Sequence, residues 1–226
     1  MKCPHVLLVS LLLLGINSAA CADVTMEALS GDLMITNTIV DPGHVILRAT
    51  NGNIYIQVSI SAGTQLMVQT SGFVNQSTGL ISARSLHAGA GGSITFHQMA
   101  VGALTATNAT GDILLTATNG LLISDIRAPG GNINLLAGST LTAQTVSASG
   151  NVSLTNLSND ILFTNVTAGS IVTLRSRGAL AGGLVTAPTL YAYAATGINL
   201  QCTVANLTAT NGAGDLLINE TDALTL

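Results

Sequence analysis

A short phrase of Gly, a small polar residue and alternating apolar residues recurs along this chain. The copies begin at Gly31, Gly52, Gly92, Gly111, Gly131, Gly150 and Gly214. The first six recur about every 20 residues, except that the step from Gly52 to Gly92 is twice as long and therefore contains one degenerate copy. Such a period in a strand-forming sequence predicts a parallel β-solenoid, because equivalent residues of successive units then stack on one another.

The pattern predicts an all-β fold, a single-stranded parallel β-helix with about 20 residues per coil. Runs such as Ile133-Asn134-Leu135 alternate apolar and polar residues, which is typical of a strand with one buried side. Gly and Asn between the runs favour tight corners. About 200 residues would give about ten coils and a rod about 45–50 Å long.

Residues 1–22 are typical of a secretory signal peptide. Lys2 provides the positive start, residues 6–14 form the apolar stretch, and the small residues at 20–22 form a cleavage site before Asp23. We therefore expect the mature protein to be one repeat domain, residues 23–226. It is expected outside the cell or on its surface, with the periplasm as the alternative compartment.

Lipidation of Cys21 is the alternative fate of the same segment. It is disfavoured because Ser18 stands where lipoprotein signals usually carry Leu. The apolar run of the signal is too short for an ordinary membrane span, and no later segment is apolar enough to be one. We therefore expect no insertion into the membrane.

Charged residues make up only 7% of this chain, and the formal net charge is −4. Lys2 is the only lysine, so we expect neither nucleic acid nor an anionic membrane surface as a partner. After cleavage Cys202 is the only cysteine, which excludes a disulfide framework and favours a small core residue.

Two units, residues 104–115 and 207–218, share the run Leu-Thr-Ala-Thr-Asn followed by Gly-Asp and an apolar strand. They resemble the repeats of filamentous haemagglutinin-type adhesins and large bacterial exoproteins. The resemblance implies a right-handed parallel β-helix with about 19–20 residues per coil, secreted and displayed on Gram-negative cells. The Asn-Pro-Asn-Leu motif of that family's secretion domain does not occur in this sequence.

Four aspartates occupy corner positions of the repeat: Asp32, Asp112, Asp160 and Asp215. Corner aspartates bond nearby backbone amides, so turn formation is favoured over acid–base catalysis. Enzymes on β-helices need clustered carboxylates beside a cleft, whereas Asp112 and Asp215 lie about five coils apart. The sequence therefore predicts no catalytic residue.

The three histidines of the mature chain, His44, His87 and His97, have no metal-ligand spacing, so neither a metal site nor a cofactor site is predicted. Thr-x-Thr pairs occur at 105/107, 116/118 and 208/210, and such pairs stacked in register would form an ice-binding hydroxyl ladder. They differ in phase or lie about five coils apart, so no continuous ladder is expected from them.

Two segments depart from the repeat. Residues 63–90 lack a clean copy, and residues 182–195 are rich in Ala and contain Pro188, Tyr191 and Tyr193. Because proline cannot donate to a ladder, Pro188 is expected in a corner or loop. Local distortion is the simpler interpretation of both segments, and a binding bulge is the alternative.

The sequence predicts a secreted, non-enzymatic rod with an adhesin-like or structural role, contacting host surfaces, glycans or copies of itself. Arg175 and Arg177 are interpreted as a solvated pair, with a polysaccharide or anion contact as the alternative. The repeat continues to the last residue, which predicts uncapped ends and, alternatively, a filament subunit that stacks end to end. A carbohydrate-active β-helix enzyme is the third hypothesis.

Overall fold

The protein is a β-solenoid in which the strands of successive coils pair in parallel. The computed structural model describes residues 6–9 and 23–222, and the regular secondary structure within them is entirely strand. The predicted cleavage site at 20–22, with Cys21, lies outside the described residues, as do residues 223–226. The predicted all-β parallel solenoid is confirmed, with about ten coils of about 20 residues.

The described part of the chain contains 21 strands in one continuous ladder system. The first ten are β1 (Val6–Val9), β2 (Val24–Ala28), β3 (Leu33–Ile35), β4 (Ile39–Asp41), β5 (His44–Ala49), β6 (Ile54–Ile56), β7 (Ile60–Ala62), β8 (Gln65–Thr70), β9 (Val74–Gln76) and β10 (Ile81–Ala90). The others are β11 (Ile94–Asn108), β12 (Ile113–Ala117), β13 (Leu121–Ala128), β14 (Ile133–Ala137), β15 (Leu141–Ala148), β16 (Val152–Asn156), β17 (Ile161–Ala168), β18 (Ile171–Ser176), β19 (Ala179–Ala194), β20 (Gly197–Asn211) and β21 (Leu216–Glu220).

A regular coil consists of three strand segments. In the coil that begins at Ile133, β14 is the first segment, and β15 bends at Gln144 to give the second and third. The bend shows in the burial pattern, because Ala143 and Val146 are both buried and the inward–outward alternation changes phase between them. Pairing of equivalent segments builds three ladders. The first ladder contains β12, β14 and β16, and the second and third contain the two halves of β13, β15 and β17.

One column of aliphatic side chains, one from each coil, lines the inside of the first ladder. Its members are Leu33, Ile54, Val74, Ile94, Ile113, Ile133, Val152, Val172, Leu190 and Leu207. The step between successive members is longest from Leu33 to Ile54 and shortest from Leu190 to Leu207. Members from Ile54 to Leu190 are at most 1% exposed, and each such side chain contributes about 1.5–3 kcal/mol of burial free energy.

Residues 63–90 complete one regular coil with β8 and form the next with β9 and β10, so the irregularity expected there is not present in the backbone. Gly72 is the degenerate copy that the doubled step from Gly52 to Gly92 predicts. Its N–H donates to the Gly52 carbonyl at 3.0 Å, and its own carbonyl accepts from the Gly92 N–H at 2.8 Å. Phe73 stands where other copies carry a small polar residue, and this substitution hides the copy in the sequence.

Of the segment 182–195, residues 182–194 belong to the continuous strand β19, and Ala195 begins the bend that follows it. Pro188 is exposed and occupies the position that the ladder between β19 and β20 skips, so its predicted corner placement is confirmed. The register of this ladder also shifts between Ala181 and Leu184. The departure from the repeat is therefore a local distortion of the strand.

A large and a small residue fit together across two coils near this distortion. Phe163 points inward, is 6% exposed, and pairs in register with Ala143 below and Gly182 above. A Cβ atom on Gly182 would lie 2.6 Å from three ring atoms of Phe163. Glycine is therefore required at position 182 because the aromatic ring occupies the space of its side chain.

We predict that Gly182→Ala lowers the free energy of unfolding by about 1–3 kcal/mol, because the added methyl overpacks against the Phe163 ring. The matched control is Gly89→Ala, since a Cβ on Gly89 meets no atom within 4 Å. Urea unfolding followed by circular dichroism measures both variants. Equal stability of the two variants would contradict the packing described here.

Candidate functional site

Two tyrosines lie side by side on the outer surface of the first ladder. Tyr191 and Tyr193 alternate along β19 with the buried residues Ala192 and Ala194. Because alternate residues of a strand point to the same side, both tyrosine side chains face outward from Cα atoms about 6.6 Å apart along the strand. Both tyrosines are half-buried on the outer surface, while the alanines between and after them point into the core.

The neighbouring coils place polar side chains around these rings. In one column Tyr191 lies between Thr173 and Thr208, and in the next Tyr193 lies between Arg175 and Thr210. The Cζ atom of Arg175 lies 4.7 Å from the centroid of the Tyr193 ring, which is a cation–π contact. We call this set the tyrosine–arginine surface; its members are Thr173, Arg175, Tyr191, Tyr193, Thr208 and Thr210.

Arg175 carries the charge of this surface. Its column on the first ladder is otherwise neutral: Thr116, Leu136, Thr155, Tyr193 and Thr210. The column beside it is neutral as well: Met34, Tyr55, Asn75, Thr95, Leu114, Asn134, Ser153, Thr173, Tyr191 and Thr208. Among residues 23–222 the ion pair is Arg127 with Asp125, at 2.8 Å, and no carboxylate lies within 4 Å of the Arg175 guanidinium.

Sequence reasoning singled out Tyr191, Tyr193 and Arg175 but did not connect them. The structure brings them together because the step from Arg175 to Tyr193 is shorter than the usual repeat of about 20 residues. Arg177 lies in the turn that follows β18 and is exposed, while Ser176 between the two arginines points inward and donates to the Asn159 carbonyl at 2.7 Å. The basic pair is therefore split, with Arg175 on the ladder and Arg177 at its corner.

A shallow groove of about 440 Å³ opens on the same ladder nearer the middle of the chain. Five of its seven lining residues are polar, and the lining comprises Ser93, Thr95, Asp112, Ile113, Leu114, Asn132 and Asn134. The groove and the tyrosine–arginine surface share the outer column that runs through Thr95, Asn134 and Tyr191. From Asn134 through Ser153 and Thr173 to Tyr191, this outer column is therefore a continuous polar strip.

The corner aspartates bond the backbone of the neighbouring coil. Asp112 Oδ1 accepts from the backbone N–H of Asn132 at 2.8 Å and from its side-chain amide at 2.9 Å. Asp32 makes the same two bonds to Asn53, and Asp160 Oδ1 accepts from the Ala179 N–H at 2.7 Å. The sequence predicted bonds to nearby amides, and the structure places those amides one coil further along the chain.

The fourth corner aspartate, Asp215, belongs to the last described coil. Its backbone carbonyl accepts from the Ile198 N–H at 2.9 Å, which ties this corner to the coil below it.

We predict that Asp112→Ala lowers the free energy of unfolding by about 0.5–1.5 kcal/mol, because two donors on Asn132 lose their acceptor. Asp112→Asn is the matched control and retains most of the stability, since its amide oxygen can still accept. Thermal unfolding of both variants measures the difference. A loss of equal size in the Asn variant would show that charge, and not the inter-coil bond, is what Asp112 contributes.

The three histidines are not brought together. His44 lies on β5, with Nδ1 3.2 Å from the Thr64 hydroxyl. His87 is exposed on β10 and His97 is exposed on β11. Within residues 23–222 no three His, Cys, Asp or Glu side chains are grouped as metal ligands would be.

A column of hydroxyls on the third ladder was missed by sequence reasoning. Ser147, Thr167, Thr186 and Thr203 pair in register, and the Thr203 hydroxyl lies 2.6 Å from that of Thr221. These residues recur at the coil period and belong to no Thr-x-Thr pair. The adjacent column is mixed: Thr145, Asn165, Leu184 and Gln201. The hydroxyls therefore form one column, without a second hydroxyl column beside it.

The predicted Thr-x-Thr pairs are indeed scattered. The pair 105/107 lies on the third ladder, whereas Thr116 and the pair 208/210 lie on the first.

Cys202 is a buried core residue, as its sequence context indicated. It follows Val185 in the inward column of the third ladder. Its thiol donates to Glu220 Oε2 at 2.9 Å. Burial, together with this bond and the Glu220 charge, raises the pKa of the thiol to about 12. The side chain is therefore a neutral thiol at physiological pH, and it is a poor nucleophile.

The fold defines this protein as a β-solenoid repeat protein. Comparisons with protein-family models, with curated proteins and with solved structures found no match. The described residues contain no helix long and apolar enough to cross a membrane.

Proposed function

We propose that the protein is a secreted, non-enzymatic, adhesin-like rod that binds glycans along its side at the tyrosine–arginine surface. The observation that supports this role is the pair of outward rings, Tyr191 and Tyr193, with Arg175 against one of them. A rigid ladder fixes all three without help from a loop.

The chemistry of a sugar fits this surface. A pyranose ring presents an apolar face of C–H groups and a rim of hydroxyls. The phenol rings provide apolar area at low entropic cost, because each tyrosine has only two side-chain torsions to fix. Thr173, Thr208 and Thr210 border the rings with hydroxyls that both donate and accept hydrogen bonds.

A flat surface of this size binds one sugar unit weakly. The polar strip of the first ladder extends from Tyr191 toward the groove at Asn134, so an extended glycan could contact several coils at once. Several rods on one cell surface would multiply such weak contacts, because each later contact forms at a high effective concentration.

We predict that Tyr191→Ala combined with Tyr193→Ala weakens glycan binding at least tenfold, because the stacking platform is removed. The measurement is binding of the purified protein to an oligosaccharide array, followed by calorimetry with the glycans that bind. Tyr55→Ala is the matched control, since Tyr55 occupies the same column about seven coils away and packs edge-on against Phe73 at 5.2 Å. Failure of the wild-type protein to bind any glycan, or an equal loss in the control, would overturn the proposal.

Axial self-association is a second proposed function. Among the described residues β21 pairs with one neighbour, β20. Leu216 and Leu217 on this strand are 53% and 59% exposed, and a strand edge with exposed apolar side chains is a template for another chain. A second copy of the protein is the occupant that would continue the ladder.

Light scattering over about 1–100 µM protein tests self-association, and we predict growth into rods of uniform width. Leu216→Glu should prevent growth by placing a charge in the interface. Leu157→Glu is the matched control, because Leu157 is 51% exposed on the side of the solenoid. A strict monomer at every concentration would exclude the filament role and leave glycan binding unaffected.

A carbohydrate-active enzyme receives less support. Asp23 and Asp41 approach each other at one corner, yet Asp41 Oδ1 accepts from the Gly43 N–H at 2.6 Å and Asp23 Oδ1 from the His44 N–H at 3.1 Å. Asp41 is also only 2% exposed. These carboxylates hold the backbone, whereas glycoside hydrolysis needs two carboxyl groups that reach the substrate.

A further inference from the structure

Arg175 is the feature of the tyrosine–arginine surface that neutral sugar binding does not require. Among residues 23–222 Arg127 pairs with Asp125 at 2.8 Å, whereas Arg175 has no carboxylate within 4 Å. Arg175 instead lies over the Tyr193 ring in a column whose other members are uncharged. Contact with the ring restricts the guanidinium, and several of its N–H donors remain available to a ligand.

The positively charged guanidinium of Arg175 favours a ligand with an anionic group. A guanidinium binds a carboxylate or a sulfate through two parallel charge-assisted bonds, which neutral hydroxyls cannot match. A sugar that stacks on Tyr191 or Tyr193 brings its substituents within reach of Arg175, because the two rings and the arginine occupy adjacent positions on adjacent strands. A sugar with one acidic group could therefore stack on a tyrosine ring and bind the Arg175 guanidinium at the same time.

The charge of the whole chain limits how many anionic groups the ligand carries. The protein has ten Asp and Glu residues and a formal net charge of −4. Asp32 and Asp112 stand at the corners of the first ladder itself. A polymer with a charge on every sugar would be repelled along this side of the solenoid. A terminal acidic sugar, or a chain with widely spaced acidic groups, avoids that repulsion.

We propose that the tyrosine–arginine surface recognises an acidic sugar, with its carboxylate or sulfate on Arg175 and its ring on Tyr191 and Tyr193. This inference rests on the proposed glycan-binding function and adds the class of ligand. The exposed Arg177, two residues further along, contributes long-range attraction without contacting the anion.

The test compares lactose, sialyllactose and sulfated lactose, which share a core and differ in their acidic group, alongside matched acidic and neutral members of the oligosaccharide array. We expect the acidic forms to bind at least tenfold more tightly than the neutral forms, and this preference to shrink as salt is raised from about 50 to 500 mM. The affinities for sialyllactose and for sulfated lactose show whether the surface prefers a carboxylate or a sulfate.

Substitutions assign the preference to Arg175. Arg175→Gln should lower affinity for the acidic glycans at least tenfold and remove the preference for acidic over neutral glycans. Arg175→Lys should retain part of the affinity for acidic glycans, since lysine keeps the charge but cannot make the two parallel bonds of a guanidinium. Arg177→Gln should have a smaller effect, and Arg127→Gln on the third ladder should have none. Unchanged unfolding curves for the variants exclude misfolding as the cause.

The outcomes separate this inference from the function on which it rests. Binding that depends on the tyrosines but is equal for acidic and neutral glycans would overturn the acidic-sugar inference and leave the glycan-binding role intact. An acidic preference that persists in Arg175→Gln would overturn it as well. Failure to bind any glycan would overturn both proposals.

Discussion

Pairing of each strand with the equivalent strand of the next coil is the interaction on which the rest of the structure depends. Backbone donors are satisfied between coils, as where the Leu33 N–H reaches the Asn53 carbonyl at 2.8 Å. The same pairing superimposes inward side chains, so apolar residues at the coil period form a closed column. A side chain's surroundings are therefore determined by its column more than by its neighbours in sequence. The contact between Arg175 and Tyr193 is one result, since the two residues are one coil apart.

At the corners, side-chain hydrogen bonds also link successive coils. Asp32, Asp112 and Asn132 each accept a backbone N–H from the coil that follows, so a corner is held by the unit after it. A short oxygen-bearing side chain suits this task because it is long enough to cross one strand spacing and little more. Charge is secondary, since Asn132 bonds the Asn151 N–H at 2.7 Å as closely as Asp112 bonds its own partner. This explains how a chain with few charged residues can have ordered corners.

The period, the strand class and the approximate number of coils could be predicted because they repeat. Features that depend on departures from the period could not. Gly72 was concealed by Phe73, and the hydroxyl column at Thr167 and Thr186 lacks the paired motif that draws attention. A strict repeat of about 20 residues would have placed Arg175 beside Ala195, and only the shortened step to Tyr193 creates the candidate site. Handedness and secretion stay predictions of the resemblance and of the signal peptide.

The fit of Phe163 under Gly182 also bears on how such a chain can change its length. Solenoids grow and shrink by duplication or loss of whole coils, which is tolerated when every coil accepts every other as a neighbour. The two coils that contain these residues are not interchangeable in this way, because the ring needs a residue without a side chain directly above it. A second copy of the Phe163 coil inserted between them would place ring upon ring. These two units must therefore be gained, lost or moved together, which makes them a fixed pair within an otherwise modular rod.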